Sequence, residues 1–181
     1  MLKQLVLPAC LIALAPHAAA QEPAEELPEE PATQPLQPIR LLSSVSAEDL
    51  LWLLSELDAS AIAAGQNSSG APFIFGETGD GMTFGIYTLC ASADGTDCRG
   101  VEFMAVLGSR ASEEEISALD RDYAAVSLYK VDEKTVHLSR YVILDHGVTW
   151  NNLVENGRVF KMLCRTIVAR LAEDVPEQGG Q

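Results

Sequence analysis

The sequence predicts an α+β domain in which three helices cover one side of an antiparallel five-stranded sheet. Three observations support this prediction. Apolar residues recur at helical spacing in three segments, and strand-like runs of alternating apolar residues occur in five others. Turn-forming residues such as Gly and Asp separate these segments. The elements follow the order α-β-β-β-α-β-β-α, which is typical of a sheet with its helices on one face.

The predicted helices have capping signals as well as helical periodicity. Ser46 precedes Asp49 at capping-box spacing before the first helix, and Ser112 precedes three acidic residues at the start of the second. Thr149 caps the third helix, whose interior contains Gly157, a residue type that weakens helices. The predicted helices span residues 47–58, 113–122 and 150–172.

The first three predicted strands form an antiparallel meander. In the second of them Phe84 and Ile86 lie on one face, and Gly85 and Tyr87 lie on the other. A glycine-containing segment at 65–70 separates the first helix from the sheet. The predicted strands span residues 72–76, 82–90, 100–108, 125–131 and 135–144.

The first 20 residues have the pattern of a secretory signal peptide. Lys3 gives a positive start, residues 4–16 are mostly apolar, and small residues precede Gln21. We therefore expect cleavage after Ala20 and a periplasmic or secreted protein with no membrane span. A competing interpretation uses Leu7-Pro8-Ala9-Cys10, which resembles a lipoprotein cleavage box and would leave Cys10 lipidated.

Composition divides the rest of the chain into three parts. Residues 21–38 contain five Glu and five Pro, which predicts a disordered linker. The folded domain is predicted at 39–172 and a flexible tail at 173–181. The chain has a net charge of −14, and loss of Lys3 leaves 11 basic and 26 acidic residues, or −15. Such a surface repels phosphate backbones, so nucleic-acid binding is disfavoured.

Three cysteines follow the signal peptide. Cys90 and Cys98 flank a turn-rich segment between two predicted strands, where an oxidising compartment favours a disulfide. Closing this short loop stabilises the fold by about 2.5 kcal/mol through loop-closure entropy. A two-thiol metal site is the alternative, but it requires further ligands nearby. Cys164 lies on the apolar face of the last helix and is expected to be buried.

Side chains that could carry chemistry do not form a recognisable catalytic or metal-binding pattern. The mature chain has two histidines, His137 and His146, and no G-x-S-x-G nucleophile motif. The S-x-x-K string at 127–130 lies in a predicted strand, so its Ser and Lys would point to opposite faces. Three acids near a glycine turn lack EF-hand spacing; they are Asp94, Asp97 and Glu102. We expect no catalysis, cofactor or metal.

The element order and the C-terminal third resemble the YbjN-domain family, also called sensory transduction regulators. The residues that carry the resemblance are the segment 116–121, the hairpin through Tyr129 and Val142, and the segment 142–149 leading into Asn152-Leu153. Where the family has a Trp-Asn pair in the second helix, this chain has Leu119 and Asp120. The resemblance implies a fold like that of type III secretion chaperones, and a regulatory or adaptor role without established catalysis.

The expected function is therefore a non-enzymatic binding or regulatory module of the cell envelope, adaptor-like or chaperone-like, with a protein or peptide partner. Homodimerisation through the same surface is compatible with this expectation. The candidate surface anchors are Trp52, Tyr87 and Phe103, although aromatic residues at these spacings are also typical of a core. The alternatives are a protein that holds a small apolar ligand in a closed cavity, and a small hydrolase.

Overall fold

A six-stranded antiparallel sheet forms the centre of the computed structural model, which describes residues 41–173. The predicted signal peptide and linker lie outside these residues, as does the predicted tail from residue 174 onwards. In chain order the elements are β1 (Leu41–Leu42), α1 (Ala47–Glu56), β2 (Ala59–Gln66), β3 (Pro72–Thr78), β4 (Thr83–Cys90), β5 (Cys98–Gly108), α2 (Glu113–Asp122), β6 (Ser127–Lys130), β7 (Thr135–Ile143), β8 (Val148–Thr149) and α3 (Trp150–Glu173).

The strands of the main sheet follow the order β2-β3-β4-β5-β7-β6, and each neighbouring pair is antiparallel. A separate two-stranded sheet pairs β1 with β8 at the start of α3. The mixed class and the three helices agree with the prediction. The predicted number of five strands is wrong, because the main sheet contains an additional edge strand, β2, and a second small sheet is present.

The strand missing from the prediction is β2, which directly follows α1. Its sequence is rich in alanine and lacks an alternating apolar pattern, because all its residues after Ala59 are exposed. Asp58, in the left-handed region with φ 50°, reverses the chain between helix and strand. A residue with a short polar side chain tolerates this conformation, so no glycine marks the turn in the sequence.

All three helices bury their apolar faces in a single core on one side of the sheet. Along the middle of the sheet Ile74 lies opposite Ile86, and Ile86 lies opposite Phe103. Phe160 of α3 stacks on Phe103 with ring centroids 5.7 Å apart. Gly157 lies one helical turn before Phe160 and is buried, and it allows α3 to approach Leu57 and Phe103 closely.

Polar contacts hold α3 in place at two points along its length. The buried Lys161 donates a hydrogen bond from Nζ to the carbonyl of Leu57, at the C-terminal end of α1. Burial lowers the pKa of this ammonium group. Arg165 forms an ion pair with Asp80 of the β3–β4 turn, with Nε 2.8 Å from Oδ2. The long helix is thus tied to both α1 and the sheet. None of the helices in the described part of the chain is long and apolar enough to cross a membrane.

The predicted helix starts agree well with the structure because their caps are local. Both capping boxes are formed, by Ser46 with Asp49 and by Ser112 with Glu115. Thr149 Oγ1 accepts a hydrogen bond from the backbone N–H of Asn152, as expected of a helix cap. The last helix reaches Glu173, one residue beyond its predicted end.

Candidate binding surface

The side chains considered for catalysis do not converge. His137 lies on β7 and contacts Tyr129, whose Oη is 3.2 Å from Nδ1, whereas His146 is exposed in the turn before β8. Ser127 and Lys130 lie on β6, and Lys130 donates to the carbonyl of Ala111. Within residues 41–173, no group of three or more His, Cys, Asp or Glu side chains is arranged to hold a metal ion.

The acids considered as calcium ligands have local roles. Asp94 accepts hydrogen bonds from the backbone and hydroxyl of Thr96, and these bonds lower the pKa of the Asp94 carboxyl. Asp97 forms an ion pair with Arg99 at 2.7 Å, which likewise lowers the pKa of Asp97. Glu102 lies on the neighbouring strand β5, where it pairs with Tyr87. These contacts shape the β4–β5 turn and explain the acids without a bound ion.

The face of the sheet opposite the helices carries a continuous group of aromatic and apolar side chains. We call this group the aromatic face; its members are Phe73, Phe75, Tyr87, Met104, Val106 and Tyr141. Strand register places them together, because Phe73 pairs with Tyr87 and Glu102 pairs with both Tyr87 and Tyr141. No described helix packs on this face, so its side chains stay partly exposed.

The rings of the aromatic face contact one another edge to face. Phe73 and Phe75 have centroids 5.4 Å apart at an interplanar angle of 65°, and Phe75 and Tyr87 have centroids 5.8 Å apart at 89°. Such geometries are favourable for aromatic pairs. Desolvation by these neighbours, with a smaller effect of Glu102, raises the pKa of Tyr87. Tyr87 thus combines a partly desolvated ring with a hydroxyl group at this surface.

Glycines under the rings allow them to lie close to the sheet. A Cβ atom at Gly85 would be 2.6 Å from Cε2 of Tyr87 and 3.1 Å from a ring carbon of Phe75. Tyr141 lies over Gly100 in the same way, and a Cβ atom at Gly65 would be 3.0 Å from Phe73. Aromatic rings that cover strand glycines replace the packing that glycine lacks. The aromatic face is therefore made by an arrangement of residues across four strands, with its rings packed close to the sheet.

The three predicted surface anchors have different locations. Tyr87 belongs to the aromatic face and is partly exposed. Trp52 is 62% exposed, but it lies on α1 beside a groove and not on the sheet. Phe103 is fully buried between the sheet and Phe160, so its assignment to an interaction surface is wrong. Phe103 points to the helix-covered face, because the alternation of β5 leaves Met104 and Val106 on the other face.

Most of the aromatic face was not identified from the sequence. The relevant signal is the alternation in β3, where Phe73 and Phe75 flank the buried Ile74. Two aromatic residues on the second face of a strand indicate that this face is apolar as well. The contribution of Tyr141 depends on its register with β5 and on the glycine beneath it, and both are tertiary features.

The cysteines have the arrangement that the sequence suggested. A disulfide joins Cys90 and Cys98, with an S–S distance of 2.01 Å, at the end of the β4–β5 hairpin. Cys98 is fully buried and lies beside Val45, which precedes α1. Cys164 is a free, buried thiol, and desolvation raises its pKa to about 11. A thiol with this pKa is a poor nucleophile at neutral pH.

Comparison with known proteins supports the fold. No family model matches the chain, and no curated protein sequence matches it. Among solved structures, the chain is similar to YbjN from E. coli, described as "a putative transcription regulator", with a TM-score of 0.52 and 16% sequence identity. The match covers 71% of this chain and 92% of that one. The chain therefore has a YbjN-like α+β fold.

Proposed function

We propose that this chain is an exported, non-enzymatic adaptor or regulatory domain of the cell envelope, which recognises a protein partner through the aromatic face. The observation that carries the proposal is the contiguous aromatic surface on the side of the sheet that no described helix covers. Contiguous apolar surface of this kind is uncommon on soluble domains unless it binds something. The signal-peptide pattern of residues 1–20 supports export, and the YbjN-like fold supports a regulatory or adaptor role.

The composition of the aromatic face favours a protein partner. Tyr and Phe are enriched in protein interfaces because they bury a large apolar area with few rotatable bonds. The hydroxyls of Tyr87 and Tyr141 add polar contacts at the same surface. Glu102 lies between these two tyrosines in the strand register, so it can pair with a basic residue of the partner. An aromatic face with an acid between two tyrosines suits an apolar protein surface that has a basic residue near its middle.

The experiment compares partner capture by two variants that place a lysine on different faces. Val106→Lys introduces a charge on the aromatic face at a side chain that is 63% exposed. Met162→Lys introduces the same charge on α3, at a side chain that is 55% exposed. Because both side chains are mostly exposed, neither change should lower the melting temperature strongly. The tagged proteins are cross-linked in cells and isolated from the envelope fraction.

We expect the wild-type protein and Met162→Lys to retain the same cross-linked partner and Val106→Lys to lose it. Light scattering of the purified proteins shows whether the partner is a second copy of this chain, since a dimer would then dissociate only in Val106→Lys. Equal capture by all three proteins would rule out the aromatic face. Mass spectrometry of the exported chain tests export itself, with Gln21 expected as the first residue and a lipidated Cys10 as the competing result.

A further inference from the structure

Both tryptophans of the chain line one surface groove. Trp52 comes from the middle of α1, and Trp150 is the first residue of α3. Strand β8 ends directly before Trp150 and pairs with β1. Because Leu42 of β1 lies opposite Val148, Leu42 lines the same groove. The groove has a volume of about 240 Å³. It lies on α1 and the start of α3, so it is a different site from the aromatic face.

The polar side chains of the groove are two carboxylates. Asp49, Trp52 and Glu56 occupy positions i, i+3 and i+7 of α1, so they form one stripe along the helix. The two acids are about 10 Å apart along the helix axis, with the indole between them. Together with Leu42 and Trp150 they are the residues between 41 and 173 that line the groove, and none of these described residues has a basic side chain.

Neither carboxylate is fully neutralised by its neighbours. Asp49 uses Oδ2 to accept hydrogen bonds from the backbone N–H and hydroxyl of Ser46, and its other oxygen takes no part in this cap. Glu56 has Arg158 at 3.8 Å, with both side chains about half exposed. An ion pair with this separation and exposure is weak. The groove thus combines negative charge with two indole rings.

This combination selects for a positively charged ligand with an apolar body. Cations are attracted to the faces of indole rings, and nearby carboxylates attract the same cation through Coulomb forces. Anions are repelled by Asp49 and Glu56. A small inorganic cation would gain little from Leu42 and the indoles, whereas the methyl or methylene groups of an alkylammonium ion would pack on them. We propose that the groove binds an alkylammonium cation, whether the quaternary ammonium of a small molecule or the ammonium of a lysine side chain.

Intrinsic tryptophan fluorescence gives a direct test, because every tryptophan of the chain lines this groove. The purified mature protein is titrated with choline chloride and with an Nα-acetylated lysine amide at constant ionic strength. Dimethylbutanol, the neutral isostere of choline, is the control for the charge. We expect a saturable change with at least one cation and a dissociation constant in the millimolar range. The cation that binds more tightly identifies the source of the alkylammonium group.

A matched pair of variants tests the site. Glu56→Gln removes one carboxylate from the groove, and Glu48→Gln removes one from an exposed position on α1 outside it. We expect Glu56→Gln to weaken binding about three- to five-fold and Glu48→Gln to leave it unchanged. Trp52→Leu, at an exposed site, should abolish binding in a calorimetric titration while leaving the melting temperature nearly unchanged.

Three results would overturn the proposal. The first is the absence of a saturable fluorescence change with both cations. The second is equal binding of choline and dimethylbutanol, which would mean that the groove recognises shape without charge. The third is an equal loss of affinity in Glu48→Gln and Glu56→Gln, which would mean that only the net charge of the protein matters.

Discussion

The packing at Gly157 leads to a quantitative prediction for the Gly157→Ala variant. A Cβ atom at this position would be 2.7 and 2.9 Å from the two methyl carbons of Leu57, and 3.0 Å from Cε1 of Phe103. Both neighbouring side chains are fully buried, so neither can move into solvent to make room. The added methyl group therefore forces α3 away from α1 and the sheet, or forces core side chains out of their rotamers.

Two opposing effects set the magnitude. Alanine in a helix interior is more favourable than glycine by about 1 kcal/mol. Overpacking a well-packed core costs about 1–3 kcal/mol, and three contacts shorter than 3.1 Å place this site in the upper part of that range. We therefore expect the free energy of unfolding to fall by about 1–2 kcal/mol, although the substitution improves helix propensity.

Urea denaturation followed by circular dichroism measures this change, with the disulfide kept oxidised. Ala169→Gly, at an exposed position of the same helix, is the control for helix propensity and should lose about 1 kcal/mol. In a Leu57→Ala background the added methyl group has space, so the two substitutions should couple by about 1 kcal/mol or more. A Gly157→Ala protein that is more stable than wild type would refute the close packing of α3 on Leu57 and Phe103.

Three further predictions concern the cysteines and the tether between the β3–β4 turn and α3. Cys90→Ser should lower stability by about 2.5 kcal/mol in oxidising buffer and have no effect in reductant; equal stability of variant and wild type under both conditions would argue against the bridge. The pKa of Asp80 is held well below its usual value by hydrogen bonds from Arg165 and Thr78. A depressed carboxyl pKa stabilises the fold above the unfolded-state pKa, and this stabilisation disappears as the pH falls through the folded-state value. Wild type should therefore be more stable than Asp80→Asn at neutral pH, and the difference should shrink in acid unfolding titrations; a difference independent of pH would contradict this. Burial raises the pKa of Cys164 to about 11, so a thiol reagent should label it only when denaturant unfolds the chain, and rapid labelling of the native protein would show that the helix is loosely packed.

Elements with local sequence signals lie close to where the sequence predicts them. The span of α2 follows from Ser112 and Glu115, which satisfy each other's backbone donors within a single turn. The strands β4 and β5 follow from alternation and from the turn between Cys90 and Cys98. In contrast, β2 has no apolar alternation and only one bulky side chain, the exposed Ile62, and it forms because its backbone pairs with β3. A strand held mainly by backbone pairing at a sheet edge requires no particular side-chain pattern, so the sequence does not predict it.

The two candidate sites differ in how far the sequence could reveal them. The sequence indicates Trp52 as a candidate anchor, but its partner in the groove, Trp150, is 98 residues away, and no sequence pattern connects the two. The aromatic face depends on register across four strands, so the sequence indicates Tyr87 but not Tyr141. Phe103 was placed on the surface because a strand residue can face either side, and only helix packing decides which side is buried.

By itself, the sequence determined the α+β class, the positions of the three helices, the pairing of Cys90 with Cys98 and the acidic character of the protein. These properties depend on spacing, caps and charge within short segments, and short segments carry that information directly. The tertiary structure alone decided which face of the sheet the helices cover, and it thereby buried Phe103, exposed the aromatic face and brought Trp52 beside Trp150. Such outcomes depend on contacts between residues that are distant in the chain. The free energies of these contacts cannot be inferred from a local sequence pattern.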